Sequence, residues 1–558
     1  MMDDCGQRSP VGKSGDSMSA RWELRSIPQE LIRRYLAEGW WDDVTLGTTV
    51  SKALSAMRRI EFNVHSEVRP WRGTFGDVDG AARSLAASLR ARGVGPGDIV
   101  VFQLPNWVEA GITFCAAAYL GAVIVPIVHF YGAKEVGYIL RAVSPTVVVT
   151  PDRFGHSDYL SMYERLISNP GPGQSPLWLI VGDRSPRRLP ASARSFESML
   201  AGERVAAPAM VDPDSPAIVA FTSGTTRDPK GVIHSHRTIG FETRQLEHLF
   251  PRGGPPQITG APVGHFIGML NAFLIPLLRD GPVNLIDVWK PDEILRLMRE
   301  EGLGVGGGAP YFLTSLLDHP DFTDEHLELM PFAGLGGSTV PVAVMERITA
   351  LGIKAFRSYG STEHPSITGC LLHDAEDKRL KTDGRALPGV ELRLDEGGQI
   401  LSRGPDCFVG YTDPQLTAKV FDNGGWYRTG DVGVLDGEGY LTITDRVSDI
   451  IIRGGENISA QELEESLMRM HAVAEVSVVA APDPRFGEHA AAVFRIREGG
   501  SAPSLEKVRE HLASVGLARQ KWPESLHRID EFPRTPSGKV QKFLLRQQLR
   551  EGRLPPYT

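Results

Sequence analysis

Cysteine is scarce, with only Cys5, Cys115, Cys370 and Cys407 in 558 residues. They stand too far apart for a paired metal-ligand spacing and are too few for a disulfide scaffold, so a reducing cytoplasm fits best. Excess positive charge is missing too. A formal net charge of -8 and a pI near 6.0 give no general attraction for a phosphate polymer, which argues against a nucleic-acid partner and makes any phosphate site local. No apolar segment opens the chain: Asp3, Asp4, Arg8, Lys13 and Asp16 sit in a Gly/Ser-rich stretch. A secretory signal is therefore not read, and residues 1–20 are expected to form a flexible tail. Long hydrophobic runs reduce to one, residues 111–128, which carries no charge. Asn106 and Glu109 open a helix there that stops near Gly121, and AVIVPIV reads as a short strand, so helix-turn-strand in a buried core is expected and no transmembrane segment. Basic flanks that would orient a span are also absent.

What is present is length enough for at least two domains, with 41% hydrophobic and 23% charged residues, which excludes extended disorder. From Ala82 to Thr150 helical spacings alternate with β-branched runs such as IVVFQL and TVVVT. That alternation predicts a mostly parallel, helix-covered sheet. After Asp445 the texture changes. Ser459 and Glu462 have the spacing of a helix capping box, Leu463, Leu467 and Met470 supply an apolar helix face, and Val476, Val478 and Ala480 alternate as a strand. A small C-terminal α+β domain starting near 446–450 follows.

The stretch FTSGTTRDPKG at 221–231 is the main candidate for chemistry. Gly224 and Gly231 permit backbone conformations that present amide N–H groups, Thr222, Ser223, Thr225 and Thr226 offer hydroxyls, and Lys230 adds a positive charge. Together they could hold a polyphosphate, although such a loop taken alone is often only a surface turn. No GK[ST] follows at the Walker A spacing, so a P-loop NTPase is disfavoured. Five further motifs accompany it: APVGHFIG at 261–268, LGGSTVP at 335–341, YGSTEHP at 359–365, WYRTGDVG at 426–433 and PRTPSGKVQK at 533–542.

In these motifs and their order, over roughly residues 75–542, the chain resembles the superfamily of AMP-forming acyl-CoA synthetases, adenylation domains and beetle luciferases. The resemblance implies an α/β fold. A large N-terminal domain of helix-covered mixed sheets with a β-barrel-like subdomain would span 21–447, and a small mobile lid domain 448–558, with a hinge near Ser448. It implies ATP, Mg2+ and coenzyme A as cofactors, and a carboxylate attacking the α-phosphorus while pyrophosphate leaves. Such a site must hold two anions together and neutralise phosphoryl charge.

By the same resemblance Thr222, Ser223, Gly224, Thr225, Thr226 and Lys230 hold the β- and γ-phosphates, Thr362 contacts the α-phosphate, and Glu363 ligates magnesium. Tyr359 stacks on adenine beside Gly336, Gly337 and Ser338, while Asp431 and Arg446 hold the ribose. Lys539 bridges carboxylate and α-phosphate; its ordinary pKa of about 10.4 keeps it a cation. After adenylation the small domain is expected to rotate, withdraw Lys539 and present Gly454 and Gly455 to the pantetheine arm. The hinge position is Ser448, where the family usually has Asp or Lys.

His265 aligns with the family's gate at the acyl pocket, though a lone histidine could be structural. Phe266, Met269, Leu270, Ala309, Pro310 and His364 make a candidate apolar lining. RYLAEGWWDDVTL at 34–46 resembles the access segments of relatives acting on medium-chain, cyclohexane-type and aryl acids. The expected substrate is a short- or medium-chain fatty, alicyclic or aromatic acid, and a homodimer is a candidate assembly. A free-standing enzyme loading a carrier protein is the alternative acceptor reading, and a non-catalytic nucleotide-binding regulator a second.

Overall fold

The uncharged run that could have crossed a membrane folds as the helix Val108–Leu120, every residue of it buried. Gly121 ends it in the left-handed conformation at φ 65°, where an added Cβ would lie 2.4 Å from Val211 Cγ1. The chain then enters the buried strand Val123–Pro126. A helix buried on every face belongs inside a large core, and no helix among the described residues is long and apolar enough to cross a membrane. The computed structural model describes residues 21–167, 175–182, 193–222, 229–249, 253–337, 340–453, 456–535 and 538–557. Residues 1–20 lie outside this set.

The strand Val123–Pro126 sits mid-sheet. In spatial order its eight strands are Gly410–Tyr411, Lys230–Ser235, Pro216–Thr222, Val123–Pro126, Ile99–Phe102, Val147–Pro151, Leu177–Val181 and Ala193–Ser195. From Pro216–Thr222 to Ala193–Ser195 the pairing is parallel, and Lys230–Ser235 returns antiparallel. Parallel strands need covering on both faces. The helices Phe75–Arg90 and Val108–Leu120 lie on one face with Val100 and Ile124, and Ala133–Val143 and Tyr159–Ile167 on the other with Val101 and Val125. Thr74 and Asp77 close a capping box on Phe75–Arg90, an arrangement of about 1 kcal/mol.

A second sheet, Gly307–Gly308, Phe332–Leu335, Lys354–Tyr359, Thr368–Gly369 and Arg385–Ala386, is parallel over its first three strands and antiparallel over the rest. A smaller mixed sheet joins Ile258–Thr259, Val283–Ile286, Glu61–His65 and Trp71–Thr74. A further antiparallel sheet joins Glu391–Leu394, Gln399–Arg403, Tyr427–Leu435 and Leu441–Arg446, in that order.

The C-terminal part has its own sheet and cores. Val473–Asp483 and Gly487–Ile496 pair antiparallel, Ser525–Arg528 joins in parallel, and Leu463, Val478 and Phe494 are fully buried among them. Ser459 caps the helix Ala460–Leu467 by accepting from the Glu462 N–H. Only half the expected capping box forms, because the Glu462 carboxylate turns instead to Lys521 at 2.6 Å.

Cys115, Cys370 and Cys407 are buried free thiols. Trp41, from the segment expected at an acid channel, is 4% exposed and donates to the Pro405 carbonyl at 2.9 Å. It packs with Tyr35, Leu31 and Phe241, so this part of the segment is a strap against the core.

Candidate functional site

Thr222 and Lys230, with seven residues between them in the chain, stand at the ends of two antiparallel strands and face each other as Cα partners. Ser223, Gly224, Thr225 and Thr226 lie outside the described residues. The Lys230 ammonium sits 5.7 Å from the centre of the Tyr411 ring. Tyr411 in turn donates its hydroxyl to Glu363 Oε1 at 2.9 Å, and burial, with that carboxylate, raises the phenol's pKa. Lys230, at the end of the phosphate-loop candidate, and Glu363, the expected magnesium ligand, therefore meet at one aromatic ring.

The segment carrying Thr362 and Glu363 is pinned through its backbone. The Glu363 carbonyl accepts from the Phe408 N–H at 2.8 Å, and the Thr362 carbonyl from His234 Nε2 at 2.7 Å. Gly360 permits the tight return of the chain, since a Cβ there would fall 1.7 Å from the Pro365 carbonyl oxygen. His364, expected in the acyl lining, faces elsewhere. It is fully buried, with Nδ1 2.8 Å from Ser402 Oγ and Nε2 3.2 Å from Asp406 Oδ1. A ring with both nitrogens engaged is a strut beneath the segment.

Asp431 and Arg446 are partners across adjacent strands, which puts their side chains on one face. Arg446 Nε donates to Asp431 Oδ1, and the Tyr359 hydroxyl to Oδ2, both at 2.6 Å. Each oxygen of a carboxylate has a further lone pair, so these bonds still leave acceptors for ribose hydroxyls. Tyr359 ends the strand Lys354–Tyr359 and is 9% exposed; burial first, then Asp431, pushes its phenol well above the ordinary value. Gly336 follows the neighbouring strand and lies so close to Ser358 that a Cβ would come 2.7 Å from its carbonyl oxygen. Gly337 has φ 73°. Ser338 lies outside the described residues.

Lys539 reaches this place from the C-terminal part. Its loop is tied by Thr535 N–H to the Lys539 carbonyl at 2.7 Å and by Arg534 Nη1 to the Gly538 carbonyl at 2.7 Å. Gly538, at φ 82°, passes close enough that a Cβ would sit 3.6 Å from Ala309 Cβ, beside the second sheet. Desolvation and then the Arg446 charge lower the Lys539 pKa to about 8, against the raising effect of Asp431 and Glu363. This corrects the expectation of an unperturbed lysine: the amine is still mainly a cation at neutral pH, but it titrates just above. Its charge also reaches His265, whose pKa falls to about 4, first through desolvation and then through Lys539. His265 precedes the helix Phe266–Phe273, in which Phe266, Met269 and Leu270 are buried.

The structure thus gathers Lys539, Glu363, Asp431, Arg446, Tyr359, Lys230, Thr362 and His265 from both ends of the chain. Gly454 and Gly455 lie outside the described residues. For magnesium, Glu363 offers the oxygen that Tyr411 does not engage, and no group of three or more His, Cys, Asp or Glu among the described residues could cage an ion. That donor set fits a cation held mainly by nucleotide phosphates and water.

The AMP-binding enzyme family pattern matches residues 62–412, and the pattern of that family's C-terminal domain matches residues 462–539. The chain belongs to this family. It is an AMP-forming acid–CoA ligase that uses ATP and coenzyme A. It is 32% identical over 530 residues to the medium-chain fatty-acid–CoA ligase of Escherichia coli (strain K12), covering 92% of each chain. It is 35% identical over 490 residues to the 3-[(3aS,4S,7aS)-7a-methyl-1,5-dioxo-octahydro-1H-inden-4-yl]propanoyl:CoA ligase of Rhodococcus jostii (strain RHA1), covering 85% of this chain and 93% of that one. Among solved structures, ATP-bound MatB from Rhodopseudomonas palustris superposes with a TM-score of 0.79 at 26% identity, covering 91% of this chain and 99% of that one.

Sequence reasoning missed Tyr411 and His234. The signal for His234 was its place in KGVIHSH, four residues beyond Lys230; that it folds inward against Thr362 depends on strands distant in sequence.

Proposed function

We propose that this acyl-CoA synthetase acts on a medium-chain fatty, alicyclic or aromatic acid in the cytoplasm, and that Lys539 acts in the first of its two steps. One observation carries the assignment of Lys539: its ammonium shares the field of Glu363, Asp431 and Arg446. A carboxylate oxygen of the acid attacks the α-phosphorus, the bond to the bridging oxygen breaks, and pyrophosphate departs with that electron pair. Lys539 neutralises charge shared by the acid and the α-phosphate, while Lys230, with Thr222, Ser223, Gly224, Thr225 and Thr226, holds the leaving phosphates. When bound, magnesium supplies further charge neutralisation on the phosphates, with Glu363 as its protein ligand. The coenzyme A thiol then attacks the acyl carbonyl and AMP leaves.

Ser448 is proposed as the boundary between residues 21–447 and the lid 448–558. The acid class is supported by the named relatives, which act on a medium-chain fatty acid and on a propanoate bearing a fused ring system. Buried free thiols suit a reducing compartment. The test is pyrophosphate release over acids of graded length and ring content, with and without coenzyme A. Acid-dependent release followed by coenzyme-A-dependent AMP release is expected; release with none of these acids would overturn the assignment of acid class.

A further inference from the structure

His234 takes no part in the scheme above, yet it contacts two residues of the site, Thr362 and Phe266. It lies on the strand Lys230–Ser235, four residues after Lys230, and is fully buried. Its Nε2 is 2.7 Å from the Thr362 carbonyl oxygen, and its Nδ1 is 3.2 Å from Thr238 Oγ1. A carbonyl only accepts, so the ring proton is on Nε2 and the tautomer is fixed. Burial lowers the pKa to about 4, against the raising effect of the Thr362 carbonyl and of Asp406, with His364 acting in the same direction as burial. The imidazole is therefore neutral. Its face stacks on Phe266, with ring centres 4.8 Å apart and planes at 23°. Phe266 is 4% exposed and opens the helix that follows His265.

A rigid ring thus spans the phosphate-loop strand, the backbone of Thr362, and the first aromatic residue of the acyl-side helix. The Nε2–H bond resists a shift of the Thr362 carbonyl, and Phe266 covers one face of the imidazole. We infer that His234 is a positioning residue, which fixes Thr362 against the α-phosphate and makes that placement depend, through Phe266, on the acid. The inference rests on the acyl-adenylating reading of the same site. His234 itself touches no substrate: it acts through Thr362 on one side and Phe266 on the other. A displaced Thr362 costs the adenylation step, while thioester formation from ready-made adenylate needs no α-phosphate alignment.

The test compares wild type with His234→Phe, which keeps an aromatic face and loses the donor, and with His234→Gln, whose amide N–H can stand in for Nε2–H. Acid-dependent pyrophosphate exchange and thioester formation from pre-formed acyl-adenylate are followed separately. Misplacement of an aligning group costs up to about 100-fold. His234→Phe is expected to lower kcat for adenylation by about 10- to 100-fold with the KM for ATP changed less than about threefold. Thioester formation should stay within about threefold, and His234→Gln should recover most of the loss. Phe266→Leu leaves the histidine and its hydrogen bond in place; it should change the kcat ratio between a linear and a cyclic acid in wild type, but not in the His234→Phe background.

Equal losses in both half-reactions, or a His234→Gln variant no better than His234→Phe, would overturn the inference. If the His234 variants fail to fold, an unchanged acid ratio in Phe266→Leu alone would overturn it too. Failure of the acyl-adenylating reading is seen separately, as absence of acid-dependent exchange in wild type.

Discussion

Asp431 and Arg446 face one another across two antiparallel strands and are joined at 2.6 Å through Oδ1 and Nε. Asp431 is 4% exposed, and its other oxygen is held by Tyr359. The carboxylate is thereby aimed before any nucleotide arrives.

Removing its charge should therefore weaken ATP binding more than turnover. A hydrogen bond to a charged group contributes about 1.5–3 kcal/mol, or about 10- to 100-fold. Asp431→Asn is expected to raise the KM for ATP by about that factor while the KM for the acid changes less than about threefold. Initial rates of pyrophosphate exchange over ATP and acid concentrations check it; an acid KM that rises as far as the ATP KM would refute the ribose assignment.

Lys539 should give the adenylation step an alkaline limb. Its pKa of about 8 lies below the ordinary lysine value, so the ammonium is complete well below pH 8 and lost as pH rises through it. The kcat/KM for pyrophosphate exchange, which reports the free enzyme, should fall about tenfold per unit above that point. Lys539→Ala should lose about 100- to 1,000-fold in this step, the scale of one lost charge-stabilising group, and show no such limb. Thioester formation from supplied adenylate should be nearly unaffected by the substitution.

Ser448 lies in a turn where the Arg446 carbonyl accepts from both Asp449 and Ile450. Its own N–H makes no hydrogen bond among the described residues. Proline there removes no bond from the arrangement seen, but fixes φ near −65° and restricts Val447 before it. Ser448→Pro is expected to slow thioester formation at least tenfold more than adenylate formation, in line with the cost expected when a hinge is stiffened. Equal losses in the two half-reactions would count against Ser448 as the pivot.

Acid should unfold the protein through its buried imidazoles. His234 and His236 are 0% and 2% exposed, and desolvation lowers both to about 4. The unfolded chain takes up their protons near 6.5 while the folded chain refuses them until about 4. Stability is therefore complete above pH 6.5 and falls between 6.5 and 4, by at most about 3 kcal/mol for each histidine. Urea midpoints at pH 7.5 and 4.5 check this. His236→Gln, which removes the ring that accepts from Leu46 N–H, should show a smaller difference between the two midpoints than wild type.

Local signals carried far in the sequence. Gly121 marked the end of a buried helix because a left-handed residue was needed there, and Ser459 marked the start of another through its own hydroxyl. The alternation from Ala82 to Thr150 sufficed for the parallel sheet. Several site residues meet because they stand on strands: Lys230 opens one, Tyr359 closes another, and Asp431 and Arg446 pair across two neighbours. What could not be read was decided by distant neighbours: His364 is tied to Ser402 and Asp406, and His234 to Thr362, across 38, 42 and 128 positions. Glu462 chose Lys521 over its own N-cap for the same reason, since an ion pair 59 positions away has no local pattern.

The three buried thiols also bear on the fate of the activated acyl group. Burial raises the pKa of each, to about 11 for Cys370 and about 12 for Cys407, with Cys115 higher still. A protonated, enclosed sulfur is a poor nucleophile. The mixed anhydride formed on ATP would otherwise acylate any reactive sulfhydryl within reach, so keeping these three inert protects the catalyst from self-modification and leaves the incoming cosubstrate to capture the acyl group.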